Sequence, residues 1–418
     1  MKILVLHDEI YPNRSANARI AYCVIDELLK HEDAQITILG RAVKPEQRAP
    51  YYKNCPVIHE PYMRQLKADE ARRRAGKFSR LKYLYYPRTI LTHFAKQPNQ
   101  YSYEAIRWVK RNAHKFDVIL AFTMPFYTLE LATLVSNKVP FVFYQMETTY
   151  DRPTTHYGLY HVSQNMISRW SSAASRIIAT SLLYSTYDKP TISQFKSKVR
   201  IAEFPNVRPH DDIKVTERVQ LPSDTCNVVY VGQLYPGYRD PNYIFKIFEQ
   251  LSDTNIHLHL FGNIQGKYPE DFYKKYFENQ VPNIHYHGEV SPFEADAAMQ
   301  TADILVHLGN PECESLPSKI LDYISSGKPI LNVCQISDCP TISILENYSL
   351  KLNLFTGDAI TCDLVQMVKL FCEKNRGEKL PFEQIEPLYE EYTPKVVGQT
   401  TYNTLKEAID EFNNKSKI

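Results

Sequence analysis

Apolar residues fall along this chain in short unbroken runs, each followed by a polar or amphipathic stretch long enough for a helix. The first run, "KILVLHDE", is apolar throughout rather than alternating, as a strand buried on both faces of a parallel sheet would be. After a polar loop, "ANARIAYCVIDELLK" carries Ile20, Val24 and Leu28 at helical spacing, and "AQITILG" returns to a strand, so a β-α-β unit starts at residue 2. "FDVILAF", "VPFVFYQM" and "SRIIATS" continue the rhythm. "EFPNVRPHDD", with Pro205 and Pro209, interrupts it and predicts a hinge. Beyond the hinge the alternation restarts with "CNVVYVGQL", "NIHLHLFGN", "PNIHYHGEV", "ADILVHLGN" and "KPILNVC". The pattern predicts an α/β protein of two doubly wound Rossmann-like domains facing across a cleft, at 1–206 and 207–390. A closing helix over 391–418, read from "EEYTPKVVGQTTYNTLKEAIDEFNNK", packs back toward the first domain in this reading.

The length of 418 residues fits two or three cores, and 44% hydrophobic with 23% charged residues is the balance of a globular protein. A net charge of +2 leaves any charged partner surface local. No apolar run spans a bilayer, and "MKILVLHDEI" turns polar too soon for a signal peptide. The eight cysteines show neither Cys-x-x-Cys nor Cys/His metal spacing, so the expectation is a cytoplasmic protein with reduced thiols and no metal. His257, His259, His285 and His287 alternate on two predicted strands; the pattern suggests a metal-binding face, but no third ligand type accompanies them and they read as one face of a packed sheet.

One basic stretch stands apart. "MRQLKADEARRRAGKFSRLKYLYYPR" sets nine Lys/Arg against Asp69 and Glu70, interleaved with Phe78, Leu81, Tyr83, Leu84, Tyr85 and Tyr86. Residues 64–88 suit an anionic membrane surface, with peripheral attachment at the inner face; the bland alternative is a solvated helix face. No recognition motif accompanies the charge, so nucleic acid is not expected.

The densest candidate chemistry is "HLGNPECESLPSKILDYISSGKPIL". Its strand ends at Asn310, and ligands of open α/β sheets sit outside the carboxyl ends of strands. Ser315 is a plausible N-cap with Pro317 in the first turn, so a helix start would offer amides and dipole to an anion such as a diphosphate. Glu314 precedes that start, and Asp322 would lie roughly 10–12 Å further along the axis at about 1.5 Å per residue. The separation suits a nucleotide sugar laid along the helix, and the competing reading is an acidic loop with Asp322 paired to Lys319 or Lys328.

The stretch resembles the donor motif of family 4 glycosyltransferases, retaining GT-B enzymes common in bacterial polysaccharide assembly: a Glu, seven intervening residues, a second acid, then a Gly-x-Pro turn. "SANARIAYCVIDELLK", "EFPNV", "VVYVGQLYPGYRDPNYIF" and "NIHYHGEVSPFEADAAMQTADILV" extend the resemblance over most of the chain. It implies transfer from a nucleoside-diphosphate sugar, UDP favoured, to a glycan, lipid-linked or protein-linked acceptor, with no metal or other cofactor. Glu314 would contact the donor sugar, Asp322 the ribose, and amides of Ser315 and Leu316 the diphosphate. Gly232 would admit the donor and Arg239 would neutralise the leaving group. Lys319 and Asn310 are placed to reach the donor. On the acceptor side stand Glu147, His7, Asp8, Ser15 and Asn17. Departures are Gln233 where the family has Arg, the shifted Arg239, Asp322 for Glu, Ser15-Ala16-Asn17 for a Gly-Gly loop, and Met146-Glu147 for His-Asp. They keep a degenerate, scaffold-type protein open as an alternative, beside a GT-B sugar-nucleotide epimerase. No G-x-G-x-x-G follows the first strand, which argues against a dinucleotide enzyme.

Overall fold

The computed structural model describes residues 1–7, 16–40, 57–58, 103–123, 127–147, 164–209, 219–311, 313 and 316–415. The chain divides into two compact units, one formed by residues 1–205 with 394–418 and the other by 206–393. The segment 64–88 lies outside the described residues.

In the first unit, β1 (Lys2–Leu6), β2 (Gln35–Leu39), β3 (Val57–Ile58), β4 (Val118–Phe122), β5 (Phe141–Tyr144), β6 (Arg176–Ala179) and β7 (Val199–Ile201) form one parallel sheet in the order β3-β2-β1-β4-β5-β6-β7. Its helices are α1 (Ala16–Leu28), α2 (Tyr103–Asn112), α3 (Tyr127–Thr133), α4 (Gln164–Ala173) and α5 (Ser181–Tyr184). Every residue of β4 and β5 is buried, which is why these strands read as continuous apolar runs.

The second unit holds β8 (Cys226–Val231), α6 (Asn242–Glu249), β9 (Ile256–Phe261), α7 (Glu270–Phe277), β10 (Ile284–Tyr286), α8 (Pro292–Thr301), β11 (Ile304–Leu308), α9 (Lys319–Ser326), β12 (Ile330–Cys334), α10 (Pro340–Ile344), β13 (Lys351–Phe355), α11 (Cys362–Asn375) and α12 (Phe382–Ile385). The sheet order is β10-β9-β8-β11-β12-β13, again parallel. The order reverses between β8 and β11, so the unit's switch point lies at the carboxyl ends of those two strands. α8 begins with a capping box between Ser291 and Glu294, the reciprocal pairing that closes orphan amides at a helix start.

Each of the ten sequence-predicted strands is present. β3, β7 and β13 are not expected from the pattern; all three lie at sheet edges, β3 is only two residues long, and one residue each of β7 and β13 is buried, so none shows the apolar run that marks the others.

α13 (Pro394–Lys415) follows the second unit in sequence and is part of the first. Its Val397, Tyr402, Leu405 and Ala408 are buried, and it packs on α1 and on the sheet. Gly398 makes the approach to α1 close: a Cβ there would sit 2.3 Å from Glu27 Cβ. Polar ties reinforce it. Tyr402 donates to Asp33 Oδ1 at 2.7 Å and stacks on His31, and Glu407 accepts from Arg176 and Arg200. No described helix is long and apolar enough to cross a membrane.

Candidate functional site

At the switch point of the second unit, the loop after β8 is built as a tight hairpin. Gly232 N–H donates to Phe261 O and Leu234 N–H to Asn263 O, so the backbone leaves β8 alongside the end of β9. Tyr235 and Arg239 form a bridge, and Asp240 caps the turn by accepting from Gly237 N–H and Asn242 N–H, both at 3.0 Å. The loop needs Gly262 beneath it. Gly262 has φ +149°, and a Cβ there would lie 1.8 Å from Gly232 O.

The hairpin presents Arg239 to the end of β11. Arg239 Nε donates to Asn310 Oδ1 at 3.1 Å, and Asn310 is buried. Gln335, one residue beyond β12, donates to Gly309 O at 2.9 Å and also to Tyr238 O, lacing three strand ends together. The structure therefore brings Gly232, Arg239 and Asn310 to one place. Gln233 is exposed on the same loop, its carbonyl accepting from Tyr230 OH.

The helix start differs from the sequence expectation. α9 begins at Lys319 with Ser318 as its cap residue, so Pro317 precedes the helix instead of opening it. The residue before a proline is steered away from helical backbone, which holds Leu316 out of the helix. Ile320 N–H donates to Pro317 O and Leu321 N–H to Ser318 O, which takes both out of any anion cradle. Asp322 accordingly sits in the first turn, about 4–5 Å along the axis from Lys319 rather than 10–12 Å from a start at Ser315. Glu314 and Ser315 lie outside the described residues.

Asp322 is buried. Its carboxylate accepts from Asn206 Nδ2 at 3.2 Å and lies 3.7 Å from Lys319 Nζ. Ser325 Oγ, one turn on, donates to Asn206 O, so the residue following Pro205 is tied to α9 twice. Tyr323 OH accepts from Val231 N–H at 3.1 Å, joining α9 to the end of β8. The sequence reading missed Asn206 and Gln335. Gln335 could have been found, because it follows "ILNVC" at a strand's carboxyl end; Asn206 gave no signal beyond the hinge.

In the first unit, Glu147 follows β5 and His7 follows β1. Asn17, on the first turn of α1, donates to Glu147 Oε1 at 3.2 Å. Gln145, held by Tyr187 OH at 2.9 Å, donates to Glu147 O. His7 is buried with its ring 5.3 Å from that of Phe122. Asp8 and Ser15 lie outside the described residues. A groove lined by Ser168, Arg169, Ser172 and Gln194 contains none of the predicted residues.

Residues 212–337 match the family model described as glycosyl transferases group 1. No curated protein sequence matches the chain. Among solved structures, it is similar to a glycosyltransferase from Rickettsia africae, with 12% identity, 98% of both chains covered and a TM-score of 0.62. It is similar to HepE of Anabaena in complex with UDP and glucose, with 14% identity over all of both chains and a TM-score of 0.51. It is also similar to UDP-GlcNAc 2-epimerase from Neisseria meningitidis bound to UDP-GlcNAc, with 14% identity, 97% and 100% coverage and a TM-score of 0.54. With its two doubly wound parallel sheets, the chain has the GT-B fold.

Proposed function

We propose that this protein is a glycosyltransferase that moves a sugar, with retention of anomeric configuration, from a nucleoside-diphosphate sugar to a glycan, lipid-linked or protein-linked acceptor. One observation carries the reading: Arg239 is held by Asn310 across the β8/β11 switch point, inside the stretch that matches the glycosyl transferases group 1 model. A guanidinium fixed there is placed to meet the charge that grows on a departing diphosphate, and a preorganised cation needs no rearrangement during the reaction. UDP is the favoured nucleotide, in keeping with the UDP complex of the Anabaena neighbour. Asp322 would take the ribose hydroxyls, with Asn206 fixing its carboxylate. Glu314 would hold the sugar, and Glu147 with Asn17 the acceptor. The scheme calls on no metal. Residues 64–88 are proposed to meet an anionic membrane surface.

The epimerase neighbour supports a second reading on the same fold. Product analysis separates the two: transfer releases nucleoside diphosphate and lengthens an acceptor, whereas epimerisation returns a sugar nucleotide. Direct binding tests the donor assignment. Titration calorimetry with UDP, GDP and ADP should give saturable binding of one of them. Arg239→Ala should weaken it about 10–100-fold, as expected when a charge-assisted hydrogen bond of about 1.5–3 kcal/mol is lost. Unchanged affinity in a folded Arg239→Ala protein would overturn the assignment, and no binding of any nucleotide would favour the scaffold alternative.

A further inference from the structure

The edge of the second unit's sheet carries an arrangement that sugar transfer does not use. Along β9 and β10, Leu258, Leu260, Ile284 and Tyr286 face the apolar core, and the alternate positions His257, His259, His285 and His287 face the other way. The four imidazoles lie in nearly parallel planes, 21–24° apart between neighbours. His257 Nδ1 and His285 Nε2 are 2.9 Å apart, and His259 Nδ1 and His287 Nε2 are 3.1 Å apart. One nitrogen each from His257, His259 and His285 falls within a span of 4.8 Å.

Hydrogen bonding fixes which nitrogen His259 offers. The side-chain amide of Asn227 donates to Pro222 O at 2.8 Å and to Thr225 O at 3.3 Å, so its Oδ1 is the atom facing His259 Nε2 at 3.1 Å. An oxygen acceptor there keeps the proton on Nε2 and leaves the lone pair on Nδ1, toward the other imidazoles. A carbonyl or carboxylate behind one ring nitrogen is how metal-binding histidines are ordinarily oriented. Two nitrogens bound to zinc at about 2.0–2.1 Å in tetrahedral geometry stand about 3.3 Å apart. The 2.9 Å pair reaches that with a shift of a few tenths of an ångström.

We propose that this histidine cluster binds a late first-row divalent cation, zinc above all, through His257, His259 and His285, with His287 or water completing four-coordination. Binding would displace the proton shared between His257 and His285. Imidazole ligands suit zinc, copper and nickel, and zinc imposes no geometric preference of its own. The cation would clip the edge strand β10 to β9 just before Gly262 and Gly288, whose backbones are hydrogen-bonded at 2.8 Å. That makes it a structural site, independent of the transfer assignment.

The test uses the full-length protein after chelator treatment and dialysis, titrated with Zn2+ by calorimetry and with Co2+ by visible absorption. Wild type should bind one ion per chain, give the intense absorption of tetrahedral cobalt, and melt at a higher temperature with zinc. His257→Asn and His285→Asn, at half-buried positions, should each abolish the cobalt spectrum and the zinc-dependent rise in melting temperature. Asn227→Ala should weaken binding about 10–100-fold through loss of the orienting acceptor. If His259→Asn does not fold, the other two histidine variants carry the test. Wild-type protein that binds no zinc, or folded His257→Asn and His285→Asn proteins that bind it as wild type does, would overturn the proposal.

Discussion

His307 shows how a buried side chain sets a pH limit on the fold. It lies on β11 with no exposure of consequence, and its Nδ1 sits 2.9 Å from Asn332 Oδ1. Asn332 Nδ2 donates to Asn353 Oδ1 and Thr341 Oγ1 donates to Asn332 Oδ1, so the amide orientation is fixed and His307 donates from Nδ1. Nε2 has no hydrogen-bond partner among the described residues, and a proton added there would be a buried charge without an acceptor. Burial, with Arg239 adding to it, pushes the imidazole down to about 4. A folded pKa below the ordinary 6.5 means the native state resists protonation. The associated stability is complete above pH 6.5 and is lost as pH falls from there toward 4, on the order of 3 kcal/mol in all. Denaturant unfolding at pH 7, 6, 5 and 4.5 should show that slope, and it should flatten in a His307→Leu protein. An equal slope in both would assign the acid sensitivity to other groups.

At the scale of elements, Gly398 is the sharpest case. Replacing a mid-helix glycine by alanine ordinarily gains about 0.5–1 kcal/mol. Here the new Cβ would meet Glu27 Cβ at 2.3 Å, near the stem of a side chain on α1 that cannot swing clear. Overpacking of that kind costs about 1–3 kcal/mol, so the clash outweighs the helix propensity. Gly398→Ala should therefore lower the thermal midpoint, measured by circular dichroism; a rise would mean that α13 and α1 part easily. The elements also show what the sequence could carry. The strands buried on both faces announced themselves as apolar runs, and α13 through its helical pattern. The start of α9 did not, because Pro317 and Ser318 imitate a helical first turn in residue type while the helix begins only at Lys319. The pairing of Arg239 with Asn310 joins residues 71 positions apart, and such contacts depend on strand order, which no local pattern specifies. The histidines were visible as alternation, but only coordinates show Asn227 setting the tautomer of His259.

Over the whole molecule, the first unit is assembled from two separated pieces of chain, 1–205 and 394–418. The buried Val397, Tyr402 and Leu405 each contribute about 1.5–3 kcal/mol by burial, a sum comparable to the entire stability of an ordinary domain at about 5–15 kcal/mol. A chain ended after Thr393 should therefore retain the second unit and lose the first. Limited proteolysis is expected to leave a resistant core within 206–393 and to cut rapidly in 1–205. Equal resistance of both parts would show that α13 is dispensable.

The same discontinuity has a consequence during synthesis. A ribosome moving at about 5–20 residues per second needs roughly ten to forty seconds to make residues 206–393. For that interval the sheet and α1 of the first unit exist without the helix that covers them, and the apolar face awaiting Val397 and Leu405 is open to water. The second unit contains none of the late piece and does not wait for it. The protein thus finishes its earlier-made half last, and a newborn chain passes through a stage with one folded half and one sticky one, the stage at which holding chaperones would have most to grip.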